Sequence, residues 1–195
     1  MEQPAKTEVP AAMPVGFPAR DESAPYYHRY IDRVVDAGPD ILGVLASQRE
    51  ETLAFLRGFS EERSRFRYAP DKWSARQLLS HVNDCERLFV FRAMWFARGF
   101  ESALPSFDQE VAAAAARADA IPWSRHVDEF QALRLATVAF FGSLPAEAWA
   151  RRGIASDNPF TVRALAYITA GHLVHHREIL RERYLTGVNT STGLR

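Results

Sequence analysis

The sequence predicts an all-α protein, a four-helix bundle with one long crossover connection. Three observations predict it. Apolar residues recur every three or four positions through four long segments, no segment alternates convincingly like a strand, and each of the four segments runs into a glycine. Four helices that each bury one stripe close most simply around a common core.

The elements follow in order. Residues 1–25 contain five prolines and few large apolar groups, and they read as an extended N-terminal arm. Residues 26–187 are expected to form the bundle, and 188–195 a flexible tail. The stretch 26-YYHRYIDRVV-35 reads as one or two helical turns ahead of the bundle. The first long helix is expected over Pro39–Arg57, stopped by Gly58. The second runs from Ser74 to Arg98, stopped by Gly99. At its start Ser74-Ala-Arg-Gln77 forms a capping box, in which the Ser hydroxyl and the Gln amide satisfy free backbone N–H groups. The linker 59–73 is long for a hairpin between antiparallel neighbours, so it is expected to cross over the bundle. Alanine-rich 107-FDQEVAAAAARAD-119 favours a short extra helix. The third long helix is expected from Ser124, with Ser124 as cap, to Phe141, stopped by Gly142. The fourth starts at Asn158-Pro159 or at Thr161 and ends near Thr186, before Gly187.

Composition narrows the function. The chain has 195 residues, 24 basic and 24 acidic, for a formal net charge of +0. A nucleic-acid surface built from bulk charge is therefore not expected. No apolar run approaches the roughly 18–20 residues of a membrane span. The N-terminus lacks the apolar core of a signal peptide, and the simplest reading is a cytoplasmic protein with a small-molecule substrate. The lone cysteine, Cys85, excludes an intrachain disulfide.

The most informative stretch is 170-AGHLVHHREIL-180, with three histidines in five positions. At about 100° per residue, Leu165, Thr169, His172, His176, Ile179 and Arg183 share one narrow stripe, with His172 and His176 about 40° apart. His175 falls toward its edge. Two imidazoles one turn apart on one face can converge on a single ion. On the second helix Leu78, His81, Cys85, Leu88 and Phe89 share a face centred near His81. A lone inward histidine is more often a hydrogen-bonded core residue. Three together favour a tripodal metal site with an open position, because burying several unpartnered imidazoles is costly. No glutamate follows His172, so the HExxH zinc-protease arrangement is absent. Imidazole donors suit zinc, nickel, copper and iron, and zinc or nickel is the leading expectation.

Around these residues, 72-KWSARQLLSHVNDCERLFVFRAMWFARG-99, 107-FDQ-109 and 158-NPFTVRALAYITAGHLVHHREILRERYL-185 resemble the DinB-like superfamily of metal-binding four-helix bundles. The likeness spans roughly 26–186. It implies a divalent metal ion held by His81, His172 and His176, and a homodimer. It also implies use of a low-molecular-weight thiol, because characterised relatives include thiol-dependent S-transferases and a mycothiol-dependent maleylpyruvate isomerase. Metal-dependent hydrolysis and a non-enzymatic binding module are the rival classes.

The remaining candidates have ordinary readings beside functional ones. Cys85 is a fourth ligand or nucleophile, or else a small buried hydrophobe. Glu86 is expected in a salt bridge to another helix. Glu178 either orients an imidazole or pairs with Arg181. Asp108 is a candidate for the site lip, or a surface acid. Arg92, Arg98, Arg163 and Arg183 are candidates to bind a substrate carboxylate. Trp73, Phe89, Phe91, Trp95 and Phe96 are expected in the core or on a dimer face.

Overall fold

The computed structural model describes residues 15–185. The first fourteen residues of the expected arm, the expected helix end near Thr186 with its Gly187 stop, and the expected flexible 188–195 tail lie outside that range. Among the described residues there are six α-helices and one two-stranded sheet: α1 (Pro25–Ile31), α2 (Ile41–Arg57), α3 (Ala75–Ala97), α4 (Gln109–Ala116), α5 (Trp123–Gly142), β1 (Arg152–Ala155), β2 (Asn158–Thr161) and α6 (Val162–Ile179). A wider π-helical turn, Leu180–Leu185, continues α6. None of these helices is long and apolar enough to cross a membrane.

The bundle consists of α2, α3, α5 and α6. Each of α3 and α2 packs on both α5 and α6, so α2 lies diagonal to α3 and α5 diagonal to α6. The linker after α2 therefore crosses one end of the bundle, and the segment 143–161 crosses the other. Contacts at the ends fix the directions. Trp123 Nε1 at the start of α5 donates to Leu56 O at the end of α2 (3.0 Å), and Arg76 at the start of α3 donates to Ile121 O (2.9 Å). Helices α3 and α5 thus begin together and run parallel, with α4 on the return path. Tyr184, beyond α6, donates to Trp73 O before α3 at 2.6 Å, so α6 is antiparallel to α3.

Buried polar groups tie all four helices together. Arg134 on α5 donates through Nε and Nη2 to both carboxylate oxygens of Glu86 on α3, each at 2.8 Å. Thr137 Oγ1 donates to the same carboxylate at 2.7 Å. Arg134 Nη1 donates to Gln48 Oε1 on α2 (3.0 Å), and Gln48 Nε2 donates to Ala170 O on α6 (3.3 Å). Glu86 is thus in the inter-helix salt bridge that the sequence suggested. A bidentate pair of this kind fits one arrangement of helices and leaves a buried charge in others.

Local starts and stops differ from the sequence reading in four places. The capping box of α3 forms: Gln77 N donates to Ser74 Oγ and Ser74 N to Gln77 Oε1, each at 3.1 Å. At α5, however, Ser124 is an exposed residue inside the helix, and the cap comes from Glu61, which accepts from Trp123 N at 3.0 Å. Asn158-Pro159 does not open α6. These residues form β2, which pairs with β1 in antiparallel register, and the alternative start is the one used: the Thr161 side chain caps α6 by accepting from Ala164 N. The helix stops also differ. Gly99 is left-handed at φ 80°, whereas Gly58 has φ −73° and lies in a right-handed turn. Gly142 is the last residue of α5 and is not among the glycines with positive φ. Of the N-terminal arm, Arg20–Glu22 form one turn of 3-10 helix, and Glu22 pairs with Arg163 of α6.

Candidate metal centre

The site lies where two parts of the core meet. Leu45, Phe89, Phe96, Phe141 and Phe160 belong to one apolar cluster, and Leu56, Leu79, Val82, Phe130 and Leu173 to the other. On α3 the change falls between Val82 and Cys85. On α6 it falls between Ala170 and Leu173. His172 occupies the second boundary, and His81 lies one residue before the first.

His81, His172 and His176 each offer a ring nitrogen within 4.8 Å of the others. His172 Nε2 and His176 Nε2 are 3.0 Å apart. Ring centroids of His81 lie 5.2 Å from His172 and 5.0 Å from His176. Bonds of about 2.0–2.1 Å in a tetrahedral zinc site put donor nitrogens about 3.3 Å apart. The 3.0 Å between His172 and His176 is close to that spacing. His176 Nδ1 is buried without a hydrogen-bond partner. Three imidazoles whose nitrogens converge, with one ring nitrogen orphaned, form a donor set that fits a divalent ion.

The electrostatics favour ligation. Burial pushes His81 down to about 4, with a smaller contribution from His175. Burial holds His172 and His176 well below the ordinary imidazole value, and the neighbouring histidines push the same way. The three rings are therefore neutral at physiological pH, with lone pairs available. Aromatic walls surround them. Trp73 lies 5.0 Å from His81 between centroids, Phe89 lies edge-on to His172 at 5.5 Å, and Tyr30 of α1 lies edge-on to His172 at 5.3 Å.

α1 reaches α6 because residue 171 is glycine. A Cβ there would sit 1.9 Å from Tyr30 O. This close approach brings Tyr30 against His172 and His175, and with Tyr26 and Tyr27 it lines a wall that the sequence reading did not assign to the site. The signal was present as the aromatic run YYHRY, but nothing local says which helix that run meets. Beneath it lies a cavity of about 290 Å³ that reaches His81, His172, Cys85 and Arg92. One side of the three-histidine group thus faces space for a ligand, as open, catalytic metal sites do.

The other candidates separate cleanly. Cys85 Sγ packs 3.7 Å from the His81 ring nitrogens, and burial pushes its thiol up to about 12. His175 sits at the rim, its ring 5.6 Å from Tyr30. Glu178 pairs with Arg33 after α1, and neither of its expected roles is what the geometry gives it. Asp108 is the α4 cap, accepting from Glu110 N at 2.9 Å and Val111 N at 3.1 Å. Arg163 is occupied by Glu22, and Arg98 and Arg183 are exposed. Phe89 and Phe96 are core residues, while Phe91 is 44% exposed and Trp95 stacks on Phe100 at 4.1 Å.

Fold and site together define a four-helix bundle with diagonal connections and a candidate three-histidine metal centre facing a cavity. The family model of the DinB superfamily matches residues 44–180, and the chain belongs to that superfamily. Among solved structures, it is similar to one reported as "YfiT from Bacillus subtilis is a probable metal-dependent hydrolase with an unusual four-helix bundle topology". The TM-score is 0.60 at 14% identity, over 85% of this chain and 93% of that one. No curated protein matches the sequence.

Proposed function

We propose that this protein is a divalent-metal-dependent enzyme acting on a small electrophile in the cavity beneath α1. The observation that carries this reading is the convergence of three neutral, largely buried imidazoles, two of which, His81 and His172, line that cavity. His81, His172 and His176 would hold the ion, and zinc or nickel suits such donors. The ion supplies Lewis acidity there and lets a water or thiol lose its proton near neutral pH. Tyr30, Trp73 and Phe89 hold the rings in place and keep bulk water from them. Cys85 is a buried thiol rather than a thiolate, so the nucleophile comes from outside the chain. Transfer of a low-molecular-weight thiol to carbon, or a thiol-assisted isomerisation, is the reading that the family resemblance supports. Hydrolysis is the second reading, supported by the likeness to YfiT. A homodimer has its support in the exposed aromatic stack of Phe91, Trp95 and Phe100, and sedimentation velocity would measure it.

The test begins with elemental analysis of untagged protein beside His81→Ala and His172→Ala variants. Stoichiometric metal in the parent, lost in both variants, is expected; metal retained in both overturns the assignment. Turnover of an activated aryl ester and of an aryl halide, each with and without a small thiol, then separates the two chemistries. Turnover that requires the thiol supports transfer, and turnover that ignores it supports hydrolysis. No turnover of either, in fully loaded protein, would favour a binding module.

A further inference from the structure

Arg76, Arg92 and Arg134 are the largest wholly buried side chains of the described residues. Two have an obvious counter-ion: Arg76 pairs with Glu61, and Arg134 with Glu86. Arg92 has no acidic partner within salt-bridge distance among the described residues. Its Nη2 donates to Pro105 O at 3.1 Å and to Ser156 Oγ at 2.9 Å, and its Nε–H is buried without an acceptor. A buried guanidinium held only by neutral dipoles is costly, because attraction to an opposite charge normally offsets the lost hydration.

Its position gives that cost a use. Arg92 lies eleven residues after His81 on α3, about three turns along and within about 20° of the same face. It lines the same cavity as His81 and His172. Tyr27 lies close enough to feel the charge: burial raises its phenol, and Arg92 acts in the opposite direction. The β1–β2 turn is built to reach this end of the cavity. Ser156 and Asp157 both take left-handed backbone angles, φ 51° and 59°, and Ser156 N is held by Leu104 O at 3.1 Å. The cavity therefore has imidazoles at one end, an uncompensated cation at the other, and tyrosine and phenylalanine walls between.

We infer that Arg92 binds the carboxylate of a small, partly aromatic or unsaturated substrate whose electrophilic centre lies toward the histidines. The inference rests on the proposed enzymatic use of the cavity. Guanidinium and carboxylate match in shape and charge, and the contact supplies the missing counter-ion. Arg92 sets orientation and specificity; it does not take part in bond making.

The test uses metal-free full-length protein and two probes of the same shape, benzoate and neutral benzamide, in calorimetric titrations. Benzoate is expected to bind at least tenfold more tightly than benzamide. Arg92→Met should lose that preference by weakening benzoate alone, and Arg92→Lys should keep part of it. Equal affinities in the parent, no benzoate binding at all, or unchanged benzoate affinity in Arg92→Met would overturn the inference. The parent comparison needs no variant, so a folding defect in Arg92→Met does not blunt it. Binding is read without metal. A protein that takes up no zinc or nickel would defeat the proposed enzyme and leave this result standing, and equal probe affinities would do the reverse.

Discussion

Gly171→Ala sets two well-understood effects against each other. In an isolated helix, alanine in place of glycine stabilises by about 0.8–1 kcal/mol. Here the new Cβ would lie 1.9 Å from Tyr30 O, 2.4 Å from Tyr30 C and 3.0 Å from its Cα. Ordinary contact needs about 3.5 Å, so α1 must retreat by roughly 1.5 Å. The obstacle is backbone and cannot rotate aside. Moving it disturbs Tyr30 and Ile31, which are 6% and 5% exposed. Overpacking of this kind costs about 1–3 kcal/mol, and its upper range applies to a backbone clash. After the propensity gain, the net effect is a loss of about 1–2 kcal/mol. For a domain of this size that lowers Tm by about 2–8 °C. Urea unfolding of metal-free protein gives the free energy directly, and near-ultraviolet circular dichroism reports the Tyr30 environment. A variant as stable as the parent, or more so, would show that α1 does not lie against α6 at this distance, and the aromatic wall over the histidines would go with it.

Other outcomes follow from the buried charges and the thiol. Burial depresses His81, His172 and His176 in the folded state, so the unfolded chain takes up protons first as pH falls below the ordinary imidazole value of 6.5. Metal-free protein should hold its stability above that pH and lose it between pH 6.5 and about 4, by up to about 1.4 kcal/mol per pH unit for each ring; urea midpoints that stay flat across this window would contradict neutral buried rings. Glu86→Ala leaves Arg134 buried and unpaired and should cost about 3–5 kcal/mol in urea unfolding, whereas Glu86→Leu with Arg134→Met should recover most of it; a single variant within 1 kcal/mol of the parent, by this same measure, would refute the reasoning. Cys85 is 6% exposed with its thiol pushed up to about 12, so iodoacetamide at pH 8 should label it only after unfolding, as mass spectrometry would show.

The sequence was most legible where periodicity alone decides. The four bundle helices follow from apolar spacing, and the shared face of His172 and His176 follows from helix pitch. That His81 meets them depends on α3 packing against α6, which no local pattern specifies. The β1–β2 hairpin was missed for a physical reason. Two-residue turns with both angles positive usually carry Asn-Gly or Asp-Gly, and here Ser156-Asp157 adopts them without glycine. Asn158-Pro159 then imitates a helix start. The glycine stops were over-read, since Gly58 continues a right-handed turn while Phe59 N donates to Leu56 O at 3.1 Å. Arg92 was one of four arginines of equal standing in the sequence. Only its burial, with no acid in salt-bridge distance among the described residues, sets it apart.

The donors of α3 and α6 stand far apart along the chain, at positions 81 and 172. A cation gripping both would act as a removable cross-link around a loop of about ninety residues. By the chain-entropy treatment used for disulfides, such a closure disfavours the denatured ensemble by about 4–5 kcal/mol, less whatever affinity that ensemble has for the ion. Occupancy and folding would then be one equilibrium, and chelation would lower the unfolding midpoint without touching any side chain.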